Sequence, residues 1–95
     1  MDVAFDWDPV KARANVIDHG VAFTEAATAF TDPMSVTVPD PDHSADEGRF
    51  VLVGRSKRGR LLVIVHVERG EAEIRLISAR RATRQERKKY EEEGA

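Results

Sequence analysis

The chain has 95 residues, of which 34% are charged and 41% hydrophobic, and its formal net charge is −2. These values predict one folded domain with a small core and exclude a disordered chain. The sequence has no cysteine, no signal-peptide pattern and no apolar run long enough to span a bilayer, which excludes a disulfide framework and a zinc–thiolate site and predicts a cytoplasmic protein.

The first predicted elements are a short edge strand over residues 2–6 and a helix that begins at Pro9. Asp8 is a typical N-cap residue, proline is favoured at the first helical position, and Gly20 is typical of a helix end. The predicted apolar face of this helix follows the i, i+4, i+7 spacing and consists of Val10, Ala14 and Ile17.

A second, shorter helix is predicted from a cap at Thr24 through Phe30. Its predicted apolar positions are Ala26, Ala27 and Phe30. The sequence "DPM" at Asp32 predicts a turn, and residues 34–38 alternate as a strand. The following "PDPDHSADEG" contains two prolines and four acidic residues and predicts a loop.

Three further strands are predicted at Arg49–Ser56, Arg60–Glu68 and Glu73–Ala79. Their connections, "KRG" and "RGEA", are short and contain glycine, so they predict two hairpins and an antiparallel meander in which these strands are adjacent in this order. The predicted fold is α+β, with two N-terminal helices packed on a four- to five-stranded antiparallel sheet and a polar C-terminal helix.

Strict alternation predicts which side chains share a sheet face. In the middle strand of the meander, one face would carry Leu62, Ile64, His66 and Glu68. In the last strand, one face would carry Ile74, Leu76, Ser78 and Arg80, and the other Arg75, Ile77 and Ala79.

The C-terminal helix has an unusual charge order. Thr83 and Glu86 form a capping-box pattern, so the helix should begin at about Arg84. Its first half is basic and its end is acidic, whereas the helix macrodipole favours the reverse by about 0.3–1 kcal/mol per charge. An anion held by Arg80, Arg81 and the first helical turn would explain these cations.

Charge also differs between the halves of the chain. Residues 1–48 contain 2 basic and 10 acidic residues, a net charge of −8, and residues 49–95 contain 13 basic and 7 acidic residues, a net charge of +6. One explanation for this charge asymmetry is an anionic partner that binds the basic half. The other is a protein surface on which acidic loops lie beside basic strands. Composition leaves both explanations open.

Several motifs resemble the BrnT family of type II toxin–antitoxin ribonuclease toxins. They are "W-D-x-x-K-A" from Trp7, followed by Asn15 and "HG", "F-x-E-A" from Phe23, and "R-x-I-S-A-R-R-A-T" from Arg75. The resemblance covers nearly the whole chain. It implies a RelE-like fold and RNA cleavage that halts translation. It also implies neutralisation by a ribbon-helix-helix antitoxin, in a complex of two toxins and two antitoxins that contacts operon DNA only through the antitoxin.

RNA cleavage without a metal needs a base for the 2′-hydroxyl, cations for the phosphorane-like transition state and an acid for the leaving oxygen. The predicted catalytic residues are Arg80, Glu68, His66 and Arg75, with no metal or cofactor. His66 could instead be a packing residue, and Glu68 could pair with Arg75 across the strands. The predicted RNA-binding residues are Arg81, Arg84, Lys57, Arg58, Arg60 and Lys88. The alternative function is a non-catalytic module that binds nucleic acid or a protein partner.

Overall fold

The computed structural model describes residues 3–42 and 48–94, and the centre of the predicted acidic loop, residues 43–47, lies outside these ranges. The described elements confirm the predicted α+β class, with two N-terminal helices and a polar C-terminal helix. In chain order they are β1 (Ala4–Asp6), α1 (Pro9–His19), α2 (Phe23–Thr28), a 3₁₀ turn (Ala29–Thr31), β2 (Val36–Pro39), β3 (Arg49–Arg55), β4 (Leu61–Arg69), β5 (Glu73–Arg81) and α3 (Arg84–Gly94).

The five strands form one sheet in the order β1-β5-β4-β3-β2. The two predicted hairpins are confirmed, since β3, β4 and β5 pair antiparallel in sequence order. Their turns contain Gly59 and Gly70 with φ of +88° and +67°, a region that favours glycine. The prediction of an entirely antiparallel sheet is wrong at one edge, because β1 pairs parallel to β5. No hairpin connects β1 and β5, so the length of their connection does not determine whether they pair parallel or antiparallel.

Helix α1 has the predicted ends but not the predicted apolar face. Asp8 accepts a hydrogen bond from the Val10 backbone, and Gly20 adopts a left-handed C-cap conformation. However, Val10 is 64% exposed and Ile17 is 82% exposed, whereas Asn15 is buried.

The reason lies at the edge of β5. Strand β1 pairs with β5 only as far as Arg75, so β1 leaves the outer backbone groups of Ala79 without a strand partner. The Asn15 side chain accepts from the Ala79 N–H at 3.0 Å and donates to the Ala79 carbonyl at 2.8 Å. It also donates to the Val21 carbonyl at 2.8 Å, and so connects both ends of the α1–α2 turn to the sheet.

Helix α2 and the 3₁₀ turn supply the helical side of the core. The predicted cap at Thr24 is wrong, because Ala22 is the N-cap residue and makes no side-chain cap hydrogen bond. Phe23 therefore lies inside the helix, and it packs edge-on against Trp7 with ring centroids 5.8 Å apart. The buried hydrophobic cluster between these helices and one face of the sheet consists of Val21, Phe23, Ala26, Ala29, Leu52, Leu62, Ile64, Leu76 and Ala79.

A β-bulge in β5 changes which side chains share a face. His66 pairs with Leu76 and Val65 pairs with Ser78, so Ile77 is an additional residue on β5. Beyond the bulge the alternation is shifted by one position. The prediction that Ser78 and Arg80 share a face with Leu76 is therefore wrong: Ala79 enters the core instead, and Arg80 pairs with Val63 on the opposite face from His66.

Helix α3 lies against this second face, at the end near Arg80. The predicted capping box is confirmed, because Thr83 and Glu86 exchange side chain–backbone hydrogen bonds of 2.9 and 3.2 Å. Tyr90 is buried, donates to Asp32 at 2.6 Å, and lies beneath the Arg55 guanidinium. None of the described helices is both long and apolar enough to cross a membrane.

Candidate functional site

The sheet face opposite α1 and α2 is only partly covered, and we call it the open face. Cross-strand pairing places its side chains in three rows. Helix α3 covers the third row, in which Val63 is buried, and leaves the first two rows half-exposed. The first row is Arg49, Val67 and Arg75, the second is Val38, Val51, Val65 and Ser78, and the third is Val36, Val53, Val63 and Arg80.

Two arginines flank Val67 in the first row. Arg75 Nη1 donates to Asp6 Oδ2 at 2.9 Å, and 32% of the Arg75 side chain remains exposed. Arg49 Nε is buried and has no hydrogen-bond partner among the described residues. On β5, the arginine of this row is therefore neutralised by Asp6. On β3, Arg49 has an N–H donor that no described residue accepts.

Arg80 forms a bidentate ion pair with Glu86. Its Nη1 and Nη2 atoms each lie 2.8 Å from one carboxylate oxygen. The same carboxylate accepts from the Thr83 backbone N–H, so the capping box places it against the guanidinium. Hydrogen bonding from Arg80 lowers the pKa of Glu86 from 4.5 to about 2. The pair is reachable from solvent, because 42% of the Arg80 and 32% of the Glu86 side chain are exposed.

The rows of Arg75 and Arg80 lie on either side of the Val51–Val65–Ser78 row. Side chains on one face of a strand repeat every ~7 Å, so these two arginine rows are ~14 Å apart. Valine side chains fill the space between them and are half-exposed. This arrangement can hold a flexible polyanion, with its charges at the two arginine rows and apolar surface against the valines.

His66 and Glu68 lie away from these arginines, on the face covered by the helices. His66 is 0% exposed, its ring packs edge-on against Phe30 at 4.9 Å, and it stacks against Phe50 at 6.1 Å. Its Nε2 atom is 3.1 Å from Glu68 Oε2, and its Nδ1 atom is buried without a partner among the described residues. His66 therefore cannot touch an external substrate. The alternative in which Glu68 pairs with Arg75 is wrong, because Glu68 lies opposite Ile74 on the covered face and Arg75 pairs with Asp6.

The basic hairpin between β3 and β4 divides into exposed and engaged cations. Arg60 Nε donates to Glu25 at 2.9 Å and its Nη2 binds the other carboxylate oxygen, while Ser56 donates to the same carboxylate at 2.7 Å. Hydrogen bonding from Arg60 lowers the pKa of Glu25, which is 7% exposed. Arg58 Nη1 also reaches Glu25 Oε1, at 3.5 Å, although 72% of its side chain is exposed. Lys57 is exposed.

Glu25 is a residue that sequence reasoning missed. A glutamate in a short helix is expected at the surface. The only sequence signal for a particular role of Glu25 was its place in the "F-x-E-A" motif. It now explains why Arg60 is held in the fold rather than available to a ligand.

The remaining predicted RNA-binding residues are scattered. Arg81 pairs with Leu62, so it belongs to the covered face although its side chain is exposed. Arg84 and Lys88 are exposed on α3. Of the four predicted catalytic residues, the structure brings Arg75 and Arg80 to the open face and leaves His66 and Glu68 on the other. Among the described residues, no group of three or more His, Cys, Asp or Glu side chains could hold a metal ion.

The comparisons with known proteins define the class. The family model described as "Ribonuclease toxin, BrnT, of type II toxin-antitoxin system" matches residues 7–86. The chain therefore belongs to the BrnT family of type II toxins, and such a toxin implies an antitoxin partner. No curated protein sequence matches the chain.

A solved structure shows the same fold. The crystal structure of the Brucella abortus ribonuclease toxin BrnT aligns with a TM-score of 0.65 and 19% sequence identity. The alignment covers 88% of this chain and 99% of the Brucella chain. At this identity the likeness establishes the fold alone.

Proposed function

We propose that this protein is an endoribonuclease toxin that cleaves messenger RNA without a metal ion and so inhibits translation, and that RNA binds to the open face. The observation that carries the proposal is the position of Arg75 and Arg80 on either side of a half-exposed valine row. Membership of a ribonuclease toxin family supports it.

Arg80 would bind the scissile phosphate. A planar guanidinium presents two parallel N–H donors to two phosphate oxygens, and these bonds strengthen as negative charge grows in the transition state. Arg75 and Arg49 would hold a neighbouring phosphate, and the valines would contact the intervening ribose or base. His66 has no role at the substrate in this proposal, because it is fully buried.

The test is cleavage of a purified transcript in the presence of excess EDTA. We expect internal cuts whose 5′ fragments end in a 2′,3′-cyclic phosphate, the product of attack by the neighbouring 2′-hydroxyl. Loss of cleavage with EDTA and its return with added metal would refute the metal-independent mechanism. Absence of cleavage both with EDTA and with added metal would refute the proposal that the protein is a ribonuclease.

A non-catalytic module that binds RNA or a protein is the second candidate function. The observation in its favour is the separation of the predicted acid–base pair from the arginines, since His66 and Glu68 share the covered face. Such a module predicts RNA binding without cleavage, which the same transcript assay detects.

We further propose that the antitoxin is of the ribbon-helix-helix type, forms a complex of two toxins and two antitoxins, and places an acidic segment on the open face. The basic half of the chain, with a net charge of +6, supports an acidic partner. The affinity of the complex should fall with rising salt and on neutralising Arg80. Equal affinity at low and high salt would contradict this assignment.

A further inference from the structure

The Arg80 guanidinium is already occupied within the toxin itself. The Glu86 carboxylate accepts from both terminal nitrogens of Arg80, in the fork geometry that a phosphate would adopt. We propose that Glu86 is an intramolecular competitor of the RNA phosphate, which must be displaced from Arg80 before RNA binds there. The inference rests on the proposed function, because it takes Arg80 as the phosphate-binding residue.

The fold supplies this carboxylate at a fixed position. Glu86 is held by Thr83 through the reciprocal capping box, and its helix is held to the core through the Tyr90–Asp32 hydrogen bond. Only two residues, Ala82 and Thr83, separate β5 from α3. The helix therefore cannot move far from Arg80, and displacement requires that the Glu86 side chain rotates away from Arg80 and gives up its hydrogen bond from the Thr83 N–H.

The exchange is feasible because the pair is half-exposed. A solvent-accessible ion pair is screened by water and salt, so a competing anion can replace one partner at small cost. The carboxylate itself stays ionised at any neutral or mildly acidic pH, since the pKa of Glu86 is about 2. Protonation therefore does not release Arg80, and a competing anion must.

A competitor of this kind selects for long substrates. A free phosphate or a mononucleotide gains only the Arg80 contact, which it must take from Glu86. A single-stranded RNA also gains contacts at the Arg75 row, ~14 Å away along the sheet, where Arg49 has a donor without a partner among the described residues, and these contacts offset the displacement. The expected ligand class is therefore a strand of several nucleotides, with mononucleotides excluded.

The experiment measures binding of a 2′-O-methylated RNA oligonucleotide, which cannot be cleaved by 2′-hydroxyl attack, to the full-length toxin across a salt series. Glu86→Gln should tighten binding about two- to fivefold. It should also steepen the slope of log K against log salt, by about 0.7 at most, because the Arg80 charge that Glu86 neutralises in the wild type becomes fully available to one phosphate of a single strand. Glutamine supports a capping box, so α3 should remain in place, as the melting temperature will show.

Three further variants separate the effect of the Glu86–Arg80 contact from the effect of net charge. Glu91→Gln removes the same charge from an exposed position on the same helix and should leave the salt slope unchanged. Glu86→Asp keeps the net charge but shortens the side chain by one methylene, so it should also tighten binding. In Arg80→Gln/Glu86→Gln the gain should disappear.

The outcomes distinguish this inference from the proposed function. If Arg80→Ala weakens binding and cleavage but Glu86→Gln behaves like Glu91→Gln, only the competitor is refuted. If Arg80→Ala binds and cleaves as the wild type does, the phosphate contact itself is refuted, and the competitor with it. A Glu86→Gln variant that binds mononucleotides and oligonucleotides with equally increased affinity would refute the selection for length.

Discussion

Asn15 links α1 to the sheet through three buried hydrogen bonds, to Val21 and to both backbone groups of Ala79. Replacement by alanine would leave these backbone groups buried without partners. We therefore expect Asn15→Ala to lower the free energy of unfolding by about 2–4 kcal/mol.

Urea denaturation of Asn15→Ala and Ile17→Ala provides the comparison. Ile17 is 82% exposed, so its truncation should change stability by no more than about 0.5 kcal/mol. A larger loss for Ile17 than for Asn15 would mean that the apolar face predicted by periodicity is the buried one after all.

Arg60 and Lys57 belong to one basic hairpin but should respond differently to neutralisation. Arg60→Met removes the main partner of a buried carboxylate, Glu25, and should destabilise the fold by about 3 kcal/mol. Lys57→Met, at an exposed position, should leave the melting temperature nearly unchanged. Equal melting temperatures for both variants would contradict the structural role of Arg60.

Single residues show where sequence patterns mislead. Val10, Ala14 and Ile17 follow a helical apolar spacing, yet Val10 and Ile17 are exposed, and the helix instead buries an asparagine. The reason is the edge of β5, whose free backbone groups need an amide, and no local pattern reports that need. The caps of α1 and the capping box of α3 are local in sequence, and both were predicted correctly.

Helix α3 makes two polar contacts with the rest of the fold, the Arg80–Glu86 pair and the Tyr90–Asp32 hydrogen bond. Tyr90→Phe keeps the ring but removes the hydroxyl, so it should cost about 1 kcal/mol and increase hydrogen exchange in α3 before the sheet is affected. Glu92→Gln, on the exposed side of the helix, is the control. Unchanged exchange in α3 of Tyr90→Phe would show that the hydroxyl does not anchor the helix.

In strand β5, one additional residue moves the following side chains to the opposite face of the sheet. The hairpins and the strand order follow from short glycine-containing links, and sequence predicted them. The bulge at Ile77 depends on pairing with β4, so strict alternation placed Arg80 on the wrong face. The candidate site could therefore be predicted by residue type, whereas its division between two faces could not.

At the scale of the whole molecule, three carboxylates make stability depend on acid. Hydrogen bonds from Arg60 and from Arg80 lower the pKa of Glu25 and of Glu86, the latter to about 2. Burial acts to raise the pKa of Asp32, but hydrogen bonds from Tyr90 and the Arg55 backbone outweigh it and lower the pKa.

A carboxylate whose pKa is lower in the folded than in the unfolded state stabilises the fold when the pH is above its unfolded-state pKa, which is 4.5 for Glu and 3.8 for Asp. This stabilisation is lost as the pH falls through the folded-state pKa. The melting temperature should therefore decline between about pH 4.5 and about pH 2, and the decline should be smaller in Arg80→Gln, which removes the main cause of the Glu86 shift. A melting temperature constant over that range would contradict these ion pairs.

We propose that RNA is cleaved on the open face, with Arg80 at the phosphate. Arg80 and Arg81 are adjacent in sequence but lie on opposite faces of the sheet, so they form a matched pair of variants. The decisive measurement is the transcript-cleavage rate of Arg80→Ala and Arg81→Ala, each checked for a cooperative thermal unfolding transition well above the assay temperature, since Arg80→Ala also removes one polar contact of α3. We expect a loss of about 10²-fold or more for Arg80→Ala, partial recovery in Arg80→Lys, and a much smaller effect for Arg81→Ala. Full activity in a folded Arg80→Ala variant, or an equal loss for Arg81→Ala, would contradict the assignment of the phosphate to Arg80.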